Sequence, residues 1–192
     1  LGETEFSSDM IVIKGVVDVR SNDAAEGYTT LEAQCKQVSE FLLNKGVREE
    51  DISFAMPSTR EHYEDYIDDN GRYRTRFAGY QHRQAFTIES QSIDSTELAA
   101  RELPSLIAEG IMLSVDEPMY YYTQLESVKH DLIGAAAADA RQRAEIIATN
   151  SGAMLGMLAQ SRAGFFQITA ASGDEEFSAG GSLNLSSRDK KA

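Results

Sequence analysis

Residues 63–77 read YEDYIDDNGRYRTRF, and the Asn70-Gly71 pair at their centre is the strongest turn signal in the chain. An Asn-Gly pair suits a two-residue hairpin loop in which both residues adopt positive φ. The register set by such a loop places Asp65 opposite Arg76, and opposite charges that face each other across a ladder support the pairing. The sequence therefore predicts a long β-hairpin.

A strand and a helix flank the hairpin on each side. Residues 10–20, MIVIKGVVDVR, alternate and are rich in Ile and Val, which is typical of a strand. Pro104 should kink or split the helix that follows the hairpin, because proline lacks the N–H that a helix interior needs. Capping boxes, in which two side chains satisfy the first N–H groups of a helix, predict helix starts at Thr29 with Glu32, Asp94 with Glu97, and Thr123 with Glu126.

The last of these helices is the longest and begins at Leu125. Apolar residues recur three or four apart as far as Ile147, which is the spacing of one helical face. Gly152 suits the left-handed position that ends a helix. We interpret the segment as a core helix laid on a sheet, since its charged residues exclude a membrane span. Residues 155–169 then read as a final strand segment.

This order of elements predicts an α+β fold. Strand, helix, strand, hairpin, strand, helix and strand follow one another, which is the βαββαβ order of ferredoxin-like folds, with a long helix and a strand added. Parallel pairs joined by helical crossovers would place the helices on one face of a mixed sheet. Residues 1–170 should form one domain, or two intimately packed halves. Residues 171–192, rich in Ser, Gly and charges, should form a flexible tail.

Composition excludes some classes of function. The formal net charge is −13 over 192 residues, which argues against nucleic-acid binding because phosphate recognition needs cationic surfaces. The chain carries no secretory or membrane-spanning stretch, so we expect membrane attachment only through a segment that this chain lacks. Cys35 is the only cysteine. It falls on the apolar side of the first helix, and we expect a buried, unreactive thiol.

No catalytic constellation emerges from the sequence. His62 and His82 lie on the two hairpin strands and should point to opposite faces, with His82 opposite Thr59. His130 has Glu126 one helical turn before it, which is more often a solvated contact than a metal site. HxxxH, HExxH, CxxC, GxSxG and phosphate-loop spacings do not occur. We therefore expect no enzymatic activity, no cofactor and no metal site.

Three ordered motifs resemble the SIMPL domain family of bacterial envelope proteins, over nearly the full length of the chain. Each motif is short, but their order is fairly specific. In chain order they are Leu1-Gly2-Glu3 with Ser8-Asp9; Leu43-Asn44-Lys45-Gly46-Val47 with Asp51-Ile52; and Ala140-Arg141, Ala144, Ile147-Ala148, Gly152 and Leu155-Gly156.

The resemblance implies an exported protein of undefined function in the periplasm or cell envelope, usually with an N-terminal signal or anchor. It implies a homo-oligomer, sometimes ring-like or channel-like, or an envelope protein partner. It also implies a connection with stress defence. The family has no accepted enzymatic activity, so no catalytic residues carry over.

The leading hypothesis is a non-enzymatic domain that acts by self-association or partner binding through the hairpin. A two-stranded arm cannot bury itself and offers a natural contact surface. The alternative is a small-molecule or metal-binding envelope protein, built at the hairpin histidines and the strand Tyr120–Tyr122. The candidate interaction residues on the hairpin are Tyr63, Asp65, Ile67, Arg72, Arg74, Arg76 and Phe77.

Overall fold

The computed structural model describes residues 3–162, 166–171 and 185–192. It contains two compact units, one spanning Met10–Met119 and one made of Leu1–Asp9 with Tyr120–Ala192. Short 3₁₀ helices lie at Glu49–Asp51 and Leu103–Glu109. The other elements are β1 (Glu5–Ser7), β2 (Met10–Ser21), α1 (Ala24–Asn44), β3 (Ile52–Phe54), β4 (Ser58–Ile67), β5 (Tyr73–Ser90), α2 (Ile93–Glu102), β6 (Leu113–Val115), β7 (Met119–Tyr121), α3 (Leu125–Asn150), β8 (Thr169–Ala170) and β9 (Asp189–Lys191).

The sheet of the larger unit has the strand order β3–β5–β2–β6, with β4 also paired to β5. The α+β class and the predicted ferredoxin-like order are confirmed. The parallel pairs that we expected are absent among β2 to β6, where the described pairings are antiparallel. The two strand–helix–strand units interleave, so β5 separates β2 from β3 and β2 separates β5 from β6.

The core of the larger unit lies between this sheet and α1. Alternate residues of β2 are buried, as expected for a strand with one apolar face. α1 packs against both β2 and β5. Each large apolar side chain that is fully buried there contributes about 1.5–3 kcal/mol to the stability of the fold. Large apolar side chains with no exposed area here are Ile11, Ile13, Val17, Leu31, Val38, Leu42 and Ile88.

The predicted capping boxes do not start the helices. α1 begins five residues before Thr29, because the carboxylate of Asp23 accepts hydrogen bonds from the N–H groups of Ala25 and Glu26, both at 2.9 Å. Such a carboxylate satisfies the orphan donors of a first turn. α2 and α3 begin without a side-chain cap. The break at Pro104 is confirmed, since α2 ends at Glu102 and a 3₁₀ segment follows.

α3 has the predicted bounds, but it is not a core helix. It ends before Gly152, which adopts the expected positive φ of 73°. Alanine buries so little apolar area that an alanine stripe at helical spacing does not by itself require burial. No helix in the described ranges is long and apolar enough to cross a membrane. The buried residues of α3 are Val128 and Leu132, whereas Ile133, Ile146 and Ile147 are exposed.

The smaller unit contains an antiparallel sheet in the order β1–β9–β8. The prediction of a flexible tail over 171–192 is therefore wrong at its end, where Asp189–Lys191 form the central strand. Residues 172–184 lie outside the described part of the chain. Of the strand expected over 155–169, the described residues show regular structure only from Thr169. Burial lowers the pKa of Lys190, whose ammonium donates to the carbonyl of Ser187 at 2.7 Å.

Candidate interaction surface

Residues 63–77, called the arm below, form a two-stranded hairpin that extends past the sheet. β2 pairs with β5 only from Tyr80, which lies opposite Ser21. Nearer the turn, β5 pairs with β4, and no third strand joins them among the described residues. Every residue of the arm is exposed except Asp68, which is half-buried. The long hairpin predicted at Asn70-Gly71 is thus present.

The turn differs from the predicted two-residue loop. The N–H of Asp68 donates to the carbonyl of Arg72 at 2.9 Å, and the N–H of Gly71 donates to the carbonyl of Asp68 at 2.8 Å. Only Gly71, with φ of 75°, is left-handed in this turn. These bonds describe a three-residue loop, a type I turn followed by a left-handed glycine. The prediction of positive φ at Asn70 is wrong.

The side chain of Asp68 accounts for this longer loop. Its carboxylate accepts from the N–H groups of Arg72 at 2.9 Å and Asn70 at 3.0 Å. The Arg74 guanidinium lies 3.1 Å from the second carboxylate oxygen. The N–H of Arg72, then the Arg74 side chain and the N–H of Asn70, hold the pKa of Asp68 below its ordinary value.

The longer loop shifts the register of the arm by one residue. Asp65 lies opposite Thr75 rather than Arg76, and Glu64 takes the place opposite Arg76. A bulge between Glu61 and Tyr63 restores the predicted register at the base of the hairpin. Because successive side chains of a strand point to opposite faces, a one-residue shift moves every β5 side chain to the other face relative to β4.

One side of the arm, called the apolar face, carries alternate residues of both strands. They are Tyr63, Asp65 and Ile67 on β4 and, opposite them, Phe77, Thr75 and Tyr73 on β5. Its ring pair joins Tyr63 to Phe77, with centroids 5.9 Å apart in an edge-on arrangement. Its one carboxylate, Asp65, accepts a hydrogen bond from the Thr75 hydroxyl at 2.9 Å. The large side chains are far from buried, with exposed fractions of 52% for Tyr63, 60% for Ile67, 82% for Tyr73 and 48% for Phe77.

The opposite side, called the polar face, carries Glu64, Tyr66, Arg74 and Arg76. Glu64 and Arg76 form an ion pair at 3.3 Å, and the Arg76 guanidinium lies 5.6 Å from the centre of the Tyr66 ring. Exposed pairs of this kind contribute roughly 0–1 kcal/mol each. The arm is therefore amphipathic, with one apolar side and one charged side whose charges are paired within it.

The seven predicted interaction residues all lie on the arm, but the structure divides them. Arg74 and Arg76 belong to the polar face, and Arg72 closes the loop through its bond with Asp68. The sequence prediction missed Tyr73, the most exposed aromatic side chain of the arm. Strand alternation in the correct register would have found it, since Tyr73 lies opposite Ile67. The other predicted residues, Tyr63, Asp65, Ile67 and Phe77, share the apolar face.

At the base of the arm, the aromatic row continues into the core. Phe77 contacts Tyr80 at 5.2 Å between ring centroids, and Tyr80 lies 6.5 Å from the His82 ring. His82 is fully buried and lies opposite Thr59, as predicted. Its ring packs so closely on Gly27 of α1 that a Cβ there would overlap it. The described residues offer its Nε2 atom no hydrogen-bond partner.

The other candidate residues do not assemble into a metal site. His62 lies at the bulge and His130 is exposed on α3. Within the described ranges, no three His, Cys, Asp or Glu side chains are grouped as a metal ion would need. Tyr120 is buried, and Tyr122 packs on Phe6 with ring centroids 4.7 Å apart.

A separate groove of about 720 Å³ lies beside β2, α1 and β6 in the larger unit. Asp18 lines it and accepts from Gln81 at 2.6 Å and from Arg83 at 3.1 Å. Gln34 also lines it and donates to the carbonyl of Gly110 at 3.4 Å. The Oε1 atom of Gln34 is buried without a partner in the described part of the chain.

Comparisons with known proteins agree with the resemblance seen in the sequence. The family model of SIMPL, described as protein of unknown function (DUF541), matches residues 1–187. No curated protein matches the chain. Among solved structures, the de novo designed protein Foldit4 is 11% identical, covers 56% of this chain and 93% of its own, and has a TM-score of 0.32. The GlnK–ATP complex of B. subtilis is 13% identical, covers 55% and 83%, and has a TM-score of 0.32.

Proposed function

The chain belongs to the SIMPL family of proteins of unknown function, and we propose that it acts by self-association through the apolar face of its arm. The observation that carries the proposal is the row of large apolar side chains, 48–82% exposed, on two strands that no third strand joins in the described part of the chain. A two-stranded hairpin is marginally stable alone. Contact with another chain would both bury the side chains and hold the arm in one conformation.

The chemistry of the apolar face suits a protein interface. Tyrosine and phenylalanine are enriched in interface cores, where charged residues are depleted. Burial of apolar surface contributes roughly 25 cal/mol per Å². The face carries one carboxylate, and Thr75 already donates to it. Desolvation of this one carboxylate is the main electrostatic cost that the contact must offset.

Net charge explains why this face is the best place for two copies to meet. A chain with a net charge of −13 repels its own copies. On the polar face, Arg74 and Arg76 pair with acids of the same arm. The arm is therefore locally close to neutral, and its apolar face lets two strongly acidic chains approach with little repulsion.

The proposed location is the periplasm or cell envelope, and the proposed biological context is stress defence. Both rest on the family to which the chain belongs. Cell fractionation of the protein in its own organism tests the location, with cytoplasmic recovery as the contrary result. Survival of a deletion strain under oxidative and heat stress tests the context, with unchanged survival as the contrary result.

Sedimentation velocity over a range of concentrations tests self-association. The wild-type chain should gain mass with concentration, and Y63S/Y73S/F77S should stay at the mass of one chain. The matched control is K36A/E40A, which removes an exposed ion pair from α1 instead of from the arm and should associate like wild type. A wild-type protein that stays monomeric throughout, or a triple variant that associates normally, would overturn the proposal.

The groove beside β2 favours a second candidate function, small-molecule binding. The unpartnered Oε1 atom of Gln34 could accept a hydrogen bond from an N–H or O–H of a small polar ligand. A fragment screen by NMR tests this, with Gln34→Leu as the comparison. Fragments that shift the amide signals of Asp18 and Met112 in wild type alone would support it.

A further inference from the structure

The two edges of the arm differ in which residues offer free backbone groups. The bond between Asp68 and Arg72 closes the loop at 2.9 Å, and hydrogen-bonded pairs alternate along an antiparallel ladder. The backbone N–H and C=O groups of Tyr66 therefore bond those of Arg74 within the arm, and the backbone groups of Glu64 bond those of Arg76. The N–H and C=O groups that point outward belong to Tyr63, Asp65 and Ile67 on β4 and to Tyr73, Thr75 and Phe77 on β5.

Both edges are open over the same length. β2 covers β5 only from Tyr80, and no strand lies beyond β4 among the described residues. A row of unpaired backbone groups is a ready template for another strand. The residues of β4 with outward-pointing backbone groups lie opposite those of β5 within the arm. A further strand could therefore pair with either edge and keep the register of the arm.

Charge selects which edges can meet. Pairing two β4 edges would place acids beside acids, and pairing two β5 edges would place arginines beside arginines, which is destabilising across a ladder. Pairing a β4 edge with a β5 edge instead places acidic side chains beside arginines. β4 carries the acids Glu61, Glu64 and Asp65 and one arginine, Arg60, near its start, and Asp68 and Asp69 follow it in the loop; the arginines on or directly before this part of β5 are Arg72, Arg74 and Arg76.

We propose that the β4 edge of one copy pairs antiparallel with the β5 edge of a second copy, which extends the arms into one continuous sheet. This inference rests on the proposed self-association and names its geometry. Thr75 lies opposite Asp65 of the next copy, and Phe77 lies opposite its Tyr63. The apolar faces join side by side, so Phe77 of one copy and Tyr63 of the next cover part of each other's exposed surface as cross-strand neighbours. On the polar faces, Glu64 and Arg76 alternate along the sheet.

The contact is heterologous, because different edges of the two copies meet. Each added copy leaves one β4 edge and one β5 edge open, so assembly continues beyond the dimer. A symmetric contact between two β4 edges would instead stop at the dimer. This difference separates the two geometries in experiment.

Proline substitutions block one edge at a time. Thr75→Pro removes an outward N–H on β5 and no hydrogen bond of the arm's own backbone ladder, a position where edge strands tolerate proline. Asp65→Pro does the same on β4. Thr75→Ala and Asp65→Ala are the matched controls, because each loses the same side-chain hydrogen bond and keeps its N–H. Circular dichroism and thermal melts check that all four variants fold.

Each proline variant alone should stay monomeric in sedimentation velocity, while both alanine controls associate. An equimolar mixture of the two proline variants should form a 1:1 complex of twice the 21.1 kDa chain mass and nothing larger. Association of either proline variant with itself would overturn the edge pairing. If wild type and both alanine controls associate, and a proline variant also associates with itself, the chain self-associates but does not do so by this edge pairing.

A charge exchange tests the same geometry without proline. E64R/R76E keeps the ion pair within the arm and reverses its polarity, so it should associate with itself as wild type does. Mixed with wild type, it should form mixed species at least about two-fold below the statistical proportion, because like charges now meet between copies. Native mass spectrometry measures the proportion. Random or preferential mixing would overturn the proposed pairing.

Discussion

Nδ1 of His82 lies 2.9 Å from the hydroxyl oxygen of Thr59, across the two strands at the base of the arm. The imidazole is fully buried, and its other edge packs against the backbone of Gly27 in α1. One rigid ring thus connects the arm's base to a helix of the core. Glycine at position 27 is what makes room for it.

Gly27→Ala should therefore destabilise the protein. In an open helix position this change is stabilising by roughly 0.5–1 kcal/mol, because alanine is the better helix former. Here the new Cβ would overlap Nε2 and Cδ2 of the His82 ring, and overpacking of a core costs about 1–3 kcal/mol. Urea unfolding followed by circular dichroism measures the change.

Gly134→Ala is the matched control for that measurement. Gly134 also lies in a helix, but a Cβ at this position would meet no atom within 4 Å. This variant should be as stable as wild type or more stable. Equal stability changes in both variants would contradict the assigned role of the His82 ring.

Asp51→Asn should also destabilise the chain. The Asp51 carboxylate is buried, accepts from the Ser90 hydroxyl at 2.6 Å and pairs with the Arg48 guanidinium at 2.7 Å. Removal of the charge weakens both bonds, and hydrogen bonds to charged groups contribute about 1.5–3 kcal/mol. Glu50→Gln is the control, because its pair with Arg48 is exposed. Chemical unfolding of both variants should show a clear loss for Asp51→Asn alone.

Local sequence signals predicted much of the fold because local energies decide those features. Alternation of β-branched residues marked β2, and Pro104 marked the break after α2. The predicted helix starts were wrong where another side chain was better placed to cap the helix, as Asp23 is for α1. The prediction that α3 is buried was wrong for a different reason. An alanine stripe has the same spacing whether or not another element covers it.

The arm itself was predictable, but its two faces were not. Asn70-Gly71 located the turn, and the side-chain bonds of Asp68 then set its length. That length differs by one residue from the favoured Asn-Gly loop, and the difference moves Tyr73 and Phe77 onto the side of Tyr63. The apolar face is thus a consequence of register, which composition does not encode.

Cys35 should react slowly in the native protein. Burial raises the pKa of this thiol to about 11, and the thiolate is the reactive species. A rise of that size lowers the thiolate fraction at neutral pH by roughly 100-fold, before any loss of access is counted. Labelling with a chromogenic disulfide should be at least that much slower in buffer than in urea. Rapid labelling of the folded chain would contradict the burial of Cys35.

Asp68 should make the order of the arm depend on pH in the acid range. The hydrogen bonds to its carboxylate hold its folded-state pKa below the unfolded value. Its contribution to the loop is thus fully present above the unfolded pKa and is lost as pH falls through the lowered folded pKa. Carboxyl NMR titration should place the Asp68 midpoint below that of a peptide Asp, and the amide signals of Asn70 and Arg72 should follow the same curve. Arg74→Ala should raise that midpoint, because it removes one of the three donors, and an unchanged midpoint in this variant would show that the guanidinium contact does not form in solution.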